Sequence, residues 1–154
     1  MKLATFRPET EPQASLRLGV LVETLEEPAL LDLLACRKAG HPTTVGADVN
    51  LPTDMLSLLR RGETGFGIVR DAVDSVLSQV SSLEDPEAAD VLVPLDDVTF
   101  GPAIPNPGKI ISAGLNFSEH VGEAASLTSD APESPMAFIK VSTTLSGHEQ
   151  PILL

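Results

Sequence analysis

The chain has 154 residues, a single cysteine and a formal net charge of −12. This length suits one ordinary domain, or a small domain with part of a second. The charge argues against binding to nucleic acid or to an anionic membrane, because phosphate is neutralised by clustered Lys and Arg. No apolar run reaches the roughly 18 residues of a spanning helix, and the amino terminus lacks a signal-peptide core. We therefore expect a cytoplasmic protein.

The first half of the chain alternates between strand and helix patterns. Short apolar runs at 3–6 and 16–22 predict two strands joined by a long loop. A helix is predicted to begin near Pro28, with leucines at 30, 31, 33 and 34 on its apolar face, and to end at Gly40. The single cysteine, Cys36, falls within this pattern and is interpreted as a packing residue.

Two more helices are predicted before the composition changes. Thr53 is the predicted cap of a short helix that ends at Gly62. The next has the clearest helical period, with apolar residues in adjacent pairs from Ile68 to Val80. A strand is predicted to begin at 91–93.

The remainder predicts a different kind of domain. Residues 94–107 contain four prolines and are interpreted as a boundary loop. Strands are predicted at 109–113, 136–140 and 152–154. We therefore predict an α+β protein with a small first domain over 1–98 and a β-rich domain over 99–154. The last strand would have little sheet to join, so we expect the second domain to be incomplete.

A histidine and a carboxylate follow the strand at 109–113. His120 and Glu123 lie three residues apart, which places them on one face of a helical turn. A carboxylate that orients an imidazole makes a general base near neutral pH. The same residues also fit an ordinary helix start, capped by Ser118 and followed by acidic residues, so the pattern leaves both interpretations open.

Lys140 is a second candidate. It closes the apolar run Met-Ala-Phe-Ile at 136–139. A lysine at the end of a buried strand is a fixed cation that stabilises a developing oxyanion. The alternative is a lysine that extends from the strand end into water.

Several motifs together resemble the fumarylacetoacetate hydrolase family. They are Pro-Asn-Pro-Gly-Lys-Ile-Ile at 105–111, Gly-Leu-Asn-Phe at 114–117, His120 with Glu123, and Ser-Pro-Met-Ala-Phe-Ile-Lys at 134–140. Residues 1–7 and 17–21 are similar to members with an N-terminal cap domain. The resemblance implies an α/β cap domain over 1–98, followed by the start of a mixed, β-roll-like catalytic sheet.

The resemblance also implies a chemistry. Family members act on small 2-oxo or 1,3-dicarbonyl acids with Mg²⁺, or with Mn²⁺ or Ca²⁺, and hydrolyse C–C bonds, decarboxylate or isomerise. The matching catalytic residues are His120, Glu123 and Lys140. The resemblance further predicts substrate contacts from Asn116, Ser142 and Thr143, and a homodimeric complete protein.

The sequence departs from the family pattern in places. Phe117 stands at a common tyrosine, Ser134 at a common glutamate and Val141 at a common proline. The family's metal-binding carboxylates come after the strand of Lys140, so no metal ligand is predicted within this chain. The pairs Glu9/Glu11 and Asp96/Asp97 are interpreted as solvated loop residues.

Two functional hypotheses remain from the sequence. In the first, the chain belongs to an enzyme of this family and is inactive alone. In the second, it is a non-catalytic binding or assembly module, or a remnant, that docks on a full-length partner.

Overall fold

The computed structural model describes residues 1–40, 50–114, 134 and 136–152. It has mixed α+β structure and contains two compact units. The first comprises Met1–Pro105 with Ser146–Leu154, and the second comprises Asn106–Leu145. In the described residues, no helix is both long and apolar enough to cross a membrane.

The first unit is built on a five-stranded antiparallel sheet. Its strands are β1 (Lys2–Pro8), β2 (Arg17–Val22), β3 (Ala29–Asp32), β4 (Leu92–Pro94) and β5 (Val98–Phe100). They lie in the order β4-β3-β2-β1-β5. The two predicted strands near the amino terminus are confirmed as β1 and β2, with Leu3 opposite Val20.

The predicted helix at Pro28 begins later than expected. Residues Ala29–Asp32 form β3, and helix α1 spans Leu33–Ala39. The leucine run has helical spacing, but β2 and β4 flank these residues and supply strand hydrogen bonds on both sides. Asp32 caps α1 by accepting from the backbone N–H groups of Leu34 and Ala35. The predicted stop is confirmed, because Gly40 is left-handed with φ 72°.

Helix α2 spans Met55–Leu77 and joins the two predicted helices into one. Its cap is Asp54 rather than Thr53, since the Asp54 carboxylate accepts from the Ser57 N–H. Gly62 interrupts the helix with φ 54° and ψ −140°. The predicted stop at Gly62 is therefore a kink, after which the chain resumes helical geometry.

The core of the first unit lies between one face of the sheet and the helices. The predicted apolar stripe is confirmed, since α2 buries Ile68, Val69, Ala72 and Val76. These side chains belong to one cluster with Leu18, Val20, Leu31, Leu33, Cys36 and Leu58. A smaller cluster of Phe6, Leu30 and Val98 covers the opposite face of the sheet.

The proline-rich segment from 94 to 107 holds more structure than a boundary loop. A 3₁₀ turn at Leu95–Asp97 leads into β5, which pairs with β1. The prolines flank this strand rather than interrupt it, so they leave its hydrogen bonds intact. A short helix α3, Pro86–Ala89, precedes β4 in a stretch for which no helix was predicted.

In the second unit the structure describes one antiparallel hairpin-like pair. Strands β6 (Ile110–Gly114) and β7 (Met136–Lys140) confirm the two predicted strands. Ser142–Thr144 forms a 3₁₀ turn after β7. Of the strand predicted at 152–154, Ile152 is not in a strand and the other two residues lie outside the described residues.

Candidate functional site

Lys140 lies at the carboxyl end of β7, directly opposite Ile110. Cross-strand partners point to the same side of a sheet, so Lys140 shares a face with Ile110, Ser112 and Phe138. The expectation of a buried strand is wrong, because all five residues of β7 are exposed. The Lys140 ammonium is therefore open to solvent in the described structure.

The two hydroxyl residues predicted to contact substrate follow Lys140 immediately. Ser142 and Thr143 belong to the exposed 3₁₀ turn. This turn is closed by the Leu145 N–H, which donates to the Ser142 carbonyl at 3.1 Å. The Thr144 hydroxyl donates to the Val141 carbonyl at 2.8 Å. Lys140, Ser142 and Thr143 thus form one short, exposed polar segment at a strand end.

The other three predicted site residues, Asn116, His120 and Glu123, lie outside the described residues. The chain leaves β6 at Gly114, which is opposite Met136 at the far end of β7 from Lys140. Four residues of extended chain separate those two ends by about 13 Å.

The described residues do not supply a metal site. Among 1–40, 50–114 and 136–152, no three His, Cys, Asp or Glu side chains converge. The Glu11 carboxylate is engaged by Arg17, and Asp96 and Asp97 are exposed on the 3₁₀ turn before β5. This donor set does not fit the divalent metal that the family resemblance implies.

Sequence reasoning missed a buried ion pair in the first unit. The Arg17 Nη1 donates to Asp32 Oδ2 at 2.5 Å, and their side chains are 8% and 2% exposed. Arg17 Nη2 also pairs with Glu11, whose side chain is 52% exposed. The signal available in the sequence was a basic residue at the start of the apolar run of β2 and an acidic residue at the end of the run of β3, which antiparallel pairing brings together.

The electrostatics of this cluster follow from its contacts. Burial alone lowers the pKa of Arg17, but its hydrogen bonds to Glu11 and Asp32 outweigh burial and raise that pKa above its ordinary value. The hydrogen bond from Arg17 likewise holds the pKa of Glu11 below its usual range. Arg17 and Glu11 are therefore both charged at neutral pH.

Cys36 is confirmed as a packing residue. Its side chain is fully buried in the main core cluster, and burial raises the pKa of its thiol to about 12. A thiol that keeps its proton at neutral pH is a poor nucleophile. Cys36 is therefore unsuited to act as a nucleophile in the folded chain.

Comparison with known proteins gives consistent matches. The mitochondrial oxaloacetate tautomerase Fahd2a of Rattus norvegicus is 31% identical over 107 residues, which is 70% of this chain and 29% of the relative. The fumarylacetoacetate hydrolase domain-containing protein 2 homolog of Dictyostelium discoideum is 28% identical over 153 residues, 99% of this chain and 40% of the relative. The oxaloacetate tautomerase YisK of Bacillus subtilis is 34% identical over 99 residues, 64% of this chain and 31% of the relative.

No protein-family model matches the chain. The chain spans between about three and four tenths of the length of these relatives. The three relatives carry related names, and the match to the Dictyostelium protein covers both compact units. The chain belongs to the fumarylacetoacetate hydrolase family.

Proposed function

We propose that this sequence supplies the cap domain and the opening of the β-roll-like catalytic domain of an enzyme that interconverts the enol and keto forms of a small 2-oxo acid. The observation that carries the reaction class is that two matched relatives, from rat and Bacillus subtilis, are named oxaloacetate tautomerases. The Dictyostelium match extends over 153 residues and so includes His120, Glu123 and Lys140.

The residue types suit such an isomerisation. Tautomerisation removes a proton from the enol oxygen, passes through a negatively charged enolate, and adds a proton to the carbon next to the oxygen-bearing carbon, which becomes the carbonyl. In our proposal, the His120 imidazole transfers the proton and Glu123 orients the ring. Lys140 stabilises the enolate oxygen with its exposed ammonium. No bond between carbons is broken, so this reaction needs neither a hydrolytic water nor loss of carbon dioxide.

Substrate binding is assigned to the polar segment beside Lys140. The hydroxyls of Ser142 and Thr143 are exposed at the end of β7, where they are free to donate to a substrate carboxylate. We assign Asn116 a similar contact. The family resemblance implies Mg²⁺ in the complete enzyme. Residues outside the described part of this chain would hold it.

A chimera tests the proposal in a working catalytic setting. In it, this chain replaces the corresponding part of the rat tautomerase, and consumption of the oxaloacetate enol is followed by its ultraviolet absorbance. We expect turnover in the chimera and a loss of about 10²–10³-fold for Lys140→Ala, the usual effect of removing an oxyanion partner.

Lys109→Ala is the matched control. Lys109 is exposed and precedes Ile110, the register partner of Lys140, so both variants remove one charge at the same end of the pair. We expect this control to keep the chimera's rate. Equal losses in both variants, with folding intact by circular dichroism, would contradict a specific role for Lys140.

The assembly-module hypothesis has one structural observation in its favour. On the face of the β6–β7 pair opposite Lys140, Ile111 is 65% exposed and Ile139 is 75% exposed, and paired apolar residues of this kind are typical of docking surfaces. Mixing the chain with the full-length Bacillus relative separates the two functions. Docking alone changes the eluted mass and leaves turnover per active site unchanged, whereas Ile139→Asp should abolish such docking.

A further inference from the structure

We propose that the first compact unit carries a binding site for a small carboxylate on Arg17, which Glu11 occupies in part as an internal competitor. The site takes no part in the proposed reaction at the β6–β7 pair. It rests on the geometry of the guanidinium, the cavities beside it and the charges around them.

The guanidinium of Arg17 has one half-used edge. Nη1 is bound to Asp32 and Nη2 to Glu11, while Nε is buried and has no hydrogen-bond partner. Nε and Nη2 lie side by side on one edge of the planar group, where a carboxylate accepts two parallel hydrogen bonds. A buried donor without a partner is unfavourable, so a ligand that fills both positions gains a bond that Glu11 leaves unmade.

Two cavities adjoin Arg17. A cavity of about 560 Å³ is lined by Arg17, Glu11 and Lys38, with apolar walls that include Ala35 and Leu92. A second cavity, of about 390 Å³, shares Arg17, Glu11 and Lys38 with the first. These three side chains thus border both cavities, and either cavity has room for a ligand of a few carbon atoms.

The charges around Arg17 allow one carboxylate to be exchanged for another. Asp32 is 2% exposed and pairs with the Arg17 guanidinium. Lys38 lies near enough to lower the pKa of Glu11 by Coulombic attraction. If the Glu11 side chain turns away, a ligand carboxylate takes over its contact with Arg17 and replaces its charge one for one, beside Lys38 and with Asp90 and Asp97 lining the first cavity and Asp54 the second.

Glu11 is free to turn away. Its side chain is half exposed, and it lies in the turn between β1 and β2 rather than in a regular element. Water therefore competes for the Glu11 end of the pair, although the Arg17 end is buried. The apolar walls add a preference for a ligand with a short hydrocarbon body, so we define the ligand class as small aliphatic carboxylates.

The test uses the full 154-residue chain labelled with ¹⁵N and butyrate as the probe. The Nε–H of Arg17 gives its own signal in an ¹⁵N correlation spectrum. We expect this signal to shift saturably with butyrate in the millimolar range, and not with butyramide, which has the same shape without the charge. Sodium chloride at matched ionic strength should leave the signal unchanged.

Variants identify the competitor. Glu11→Ala should tighten butyrate binding about tenfold, equivalent to about 1.4 kcal/mol. Glu9→Ala is the control, because Glu9 lies just before Glu11 while the ion pair of Arg17 is made by Glu11. This variant should leave the affinity unchanged. Lys38→Gln should weaken binding severalfold. Arg37→Gln, which changes the neighbouring residue, is the control and should not weaken it.

Three results would overturn the proposal. They are no saturable shift of the Arg17 Nε–H in either the native chain or Glu11→Ala, an equal response to butyramide, and equal affinities for Glu11→Ala and Glu9→Ala. Each variant is accepted only when its remaining amide signals superimpose on those of the native chain. None removes Arg17 or Asp32, so the buried ion pair of the fold is kept throughout.

Discussion

The two compact units use similar strand sequences in opposite surroundings. In the first, Ala-Leu-Leu-Asp of β3 is wholly buried, because helices cover one face of its sheet and a second apolar cluster covers the other. In the second, Met-Ala-Phe-Ile-Lys of β7 is exposed at every position. An apolar strand sequence therefore indicates a surface that is suited to burial, but the neighbouring elements determine whether that surface is buried.

The difference has an energetic consequence. Burial of large apolar side chains is the main source of stability, and the first unit concentrates it. A two-stranded sheet without a covered face is marginal in water. We therefore expect the stability of the described structure to reside in the first unit, and the following variants test that division.

The largest effect is expected for Asp32→Ala. It leaves the Arg17 guanidinium buried with only the half-exposed Glu11 as partner and removes the cap of α1. Breaking a buried ion pair from one side costs about 3–5 kcal/mol, measured here as the urea-unfolding free energy. Asp54→Ala, which removes only the exposed cap of α2, should cost about 1 kcal/mol. Equal costs would mean that the buried pair contributes nothing beyond capping.

The second effect compares the units directly. Leu58→Ala removes a fully buried side chain from the main core and should cost about 2–5 kcal/mol. Ile139→Ala, at 75% exposure on β7, should change the same unfolding free energy by less than about 0.5 kcal/mol. A large loss of unfolding free energy for Ile139→Ala in the isolated chain would show that this side chain is buried. It would contradict the difference between the two units.

A pair of glycines within α2 gives a smaller, two-signed test. Gly62 has φ 54° and ψ −140°, which alanine adopts only with strain, so Gly62→Ala should destabilise by about 1–3 kcal/mol. A Cβ at Gly67 would meet no heavy atom within 4 Å, so Gly67→Ala should stabilise by about 0.5–1 kcal/mol. Thermal unfolding of both variants checks the sign, and stabilisation by Gly62→Ala would contradict the kink.

An effect confined to alkaline pH comes last, because it vanishes at neutral pH. Folding raises the pKa of the Cys36 thiol from its ordinary 9.0 to about 12, so the folded state holds that proton more tightly than the unfolded state does. Stability is therefore lost as pH rises through the window from 9.0 to about 12. Cys36→Ala should flatten the decline in unfolding free energy across that window. A decline as steep as that of the native chain would show that the thiol does not contribute to it.

Thiol labelling compares burial in the two units. A thiol reagent at neutral pH should label Cys36 only on unfolding, since its side chain is fully buried. A cysteine introduced by Ala137→Cys on exposed β7 should react at once in the native chain. Similar rates at both positions would remove the distinction between the units.

Much of the first unit could be predicted because its signals are local. Strands β1 and β2, the stop at Gly40 and the buried stripe of α2 depend on alternation, a turn residue and a helical period. Strand β3 could not be predicted this way, because its leucines have helical spacing and only pairing with β2 and β4 makes them a strand.

The functional residues divide along the same line. The motif around His120, Glu123 and Lys140 is contiguous enough in sequence to indicate the family, and the relatives agree. Arg17 and Asp32 are 15 residues apart, and the charges at the ends of their apolar runs indicate a buried pair only once the antiparallel register of β2 and β3 is known. The fold had to be known before the carboxylate site on Arg17 could be inferred.

The most direct measurement is the oxaloacetate tautomerase rate of the chimera with His120→Ala, Glu123→Ala and both changes together. If the two residues act as one acid/base unit, each single variant loses about 10²–10⁴-fold, and the double variant is no slower than the worse single variant. A chimera that folds and keeps its rate without His120 would contradict the account.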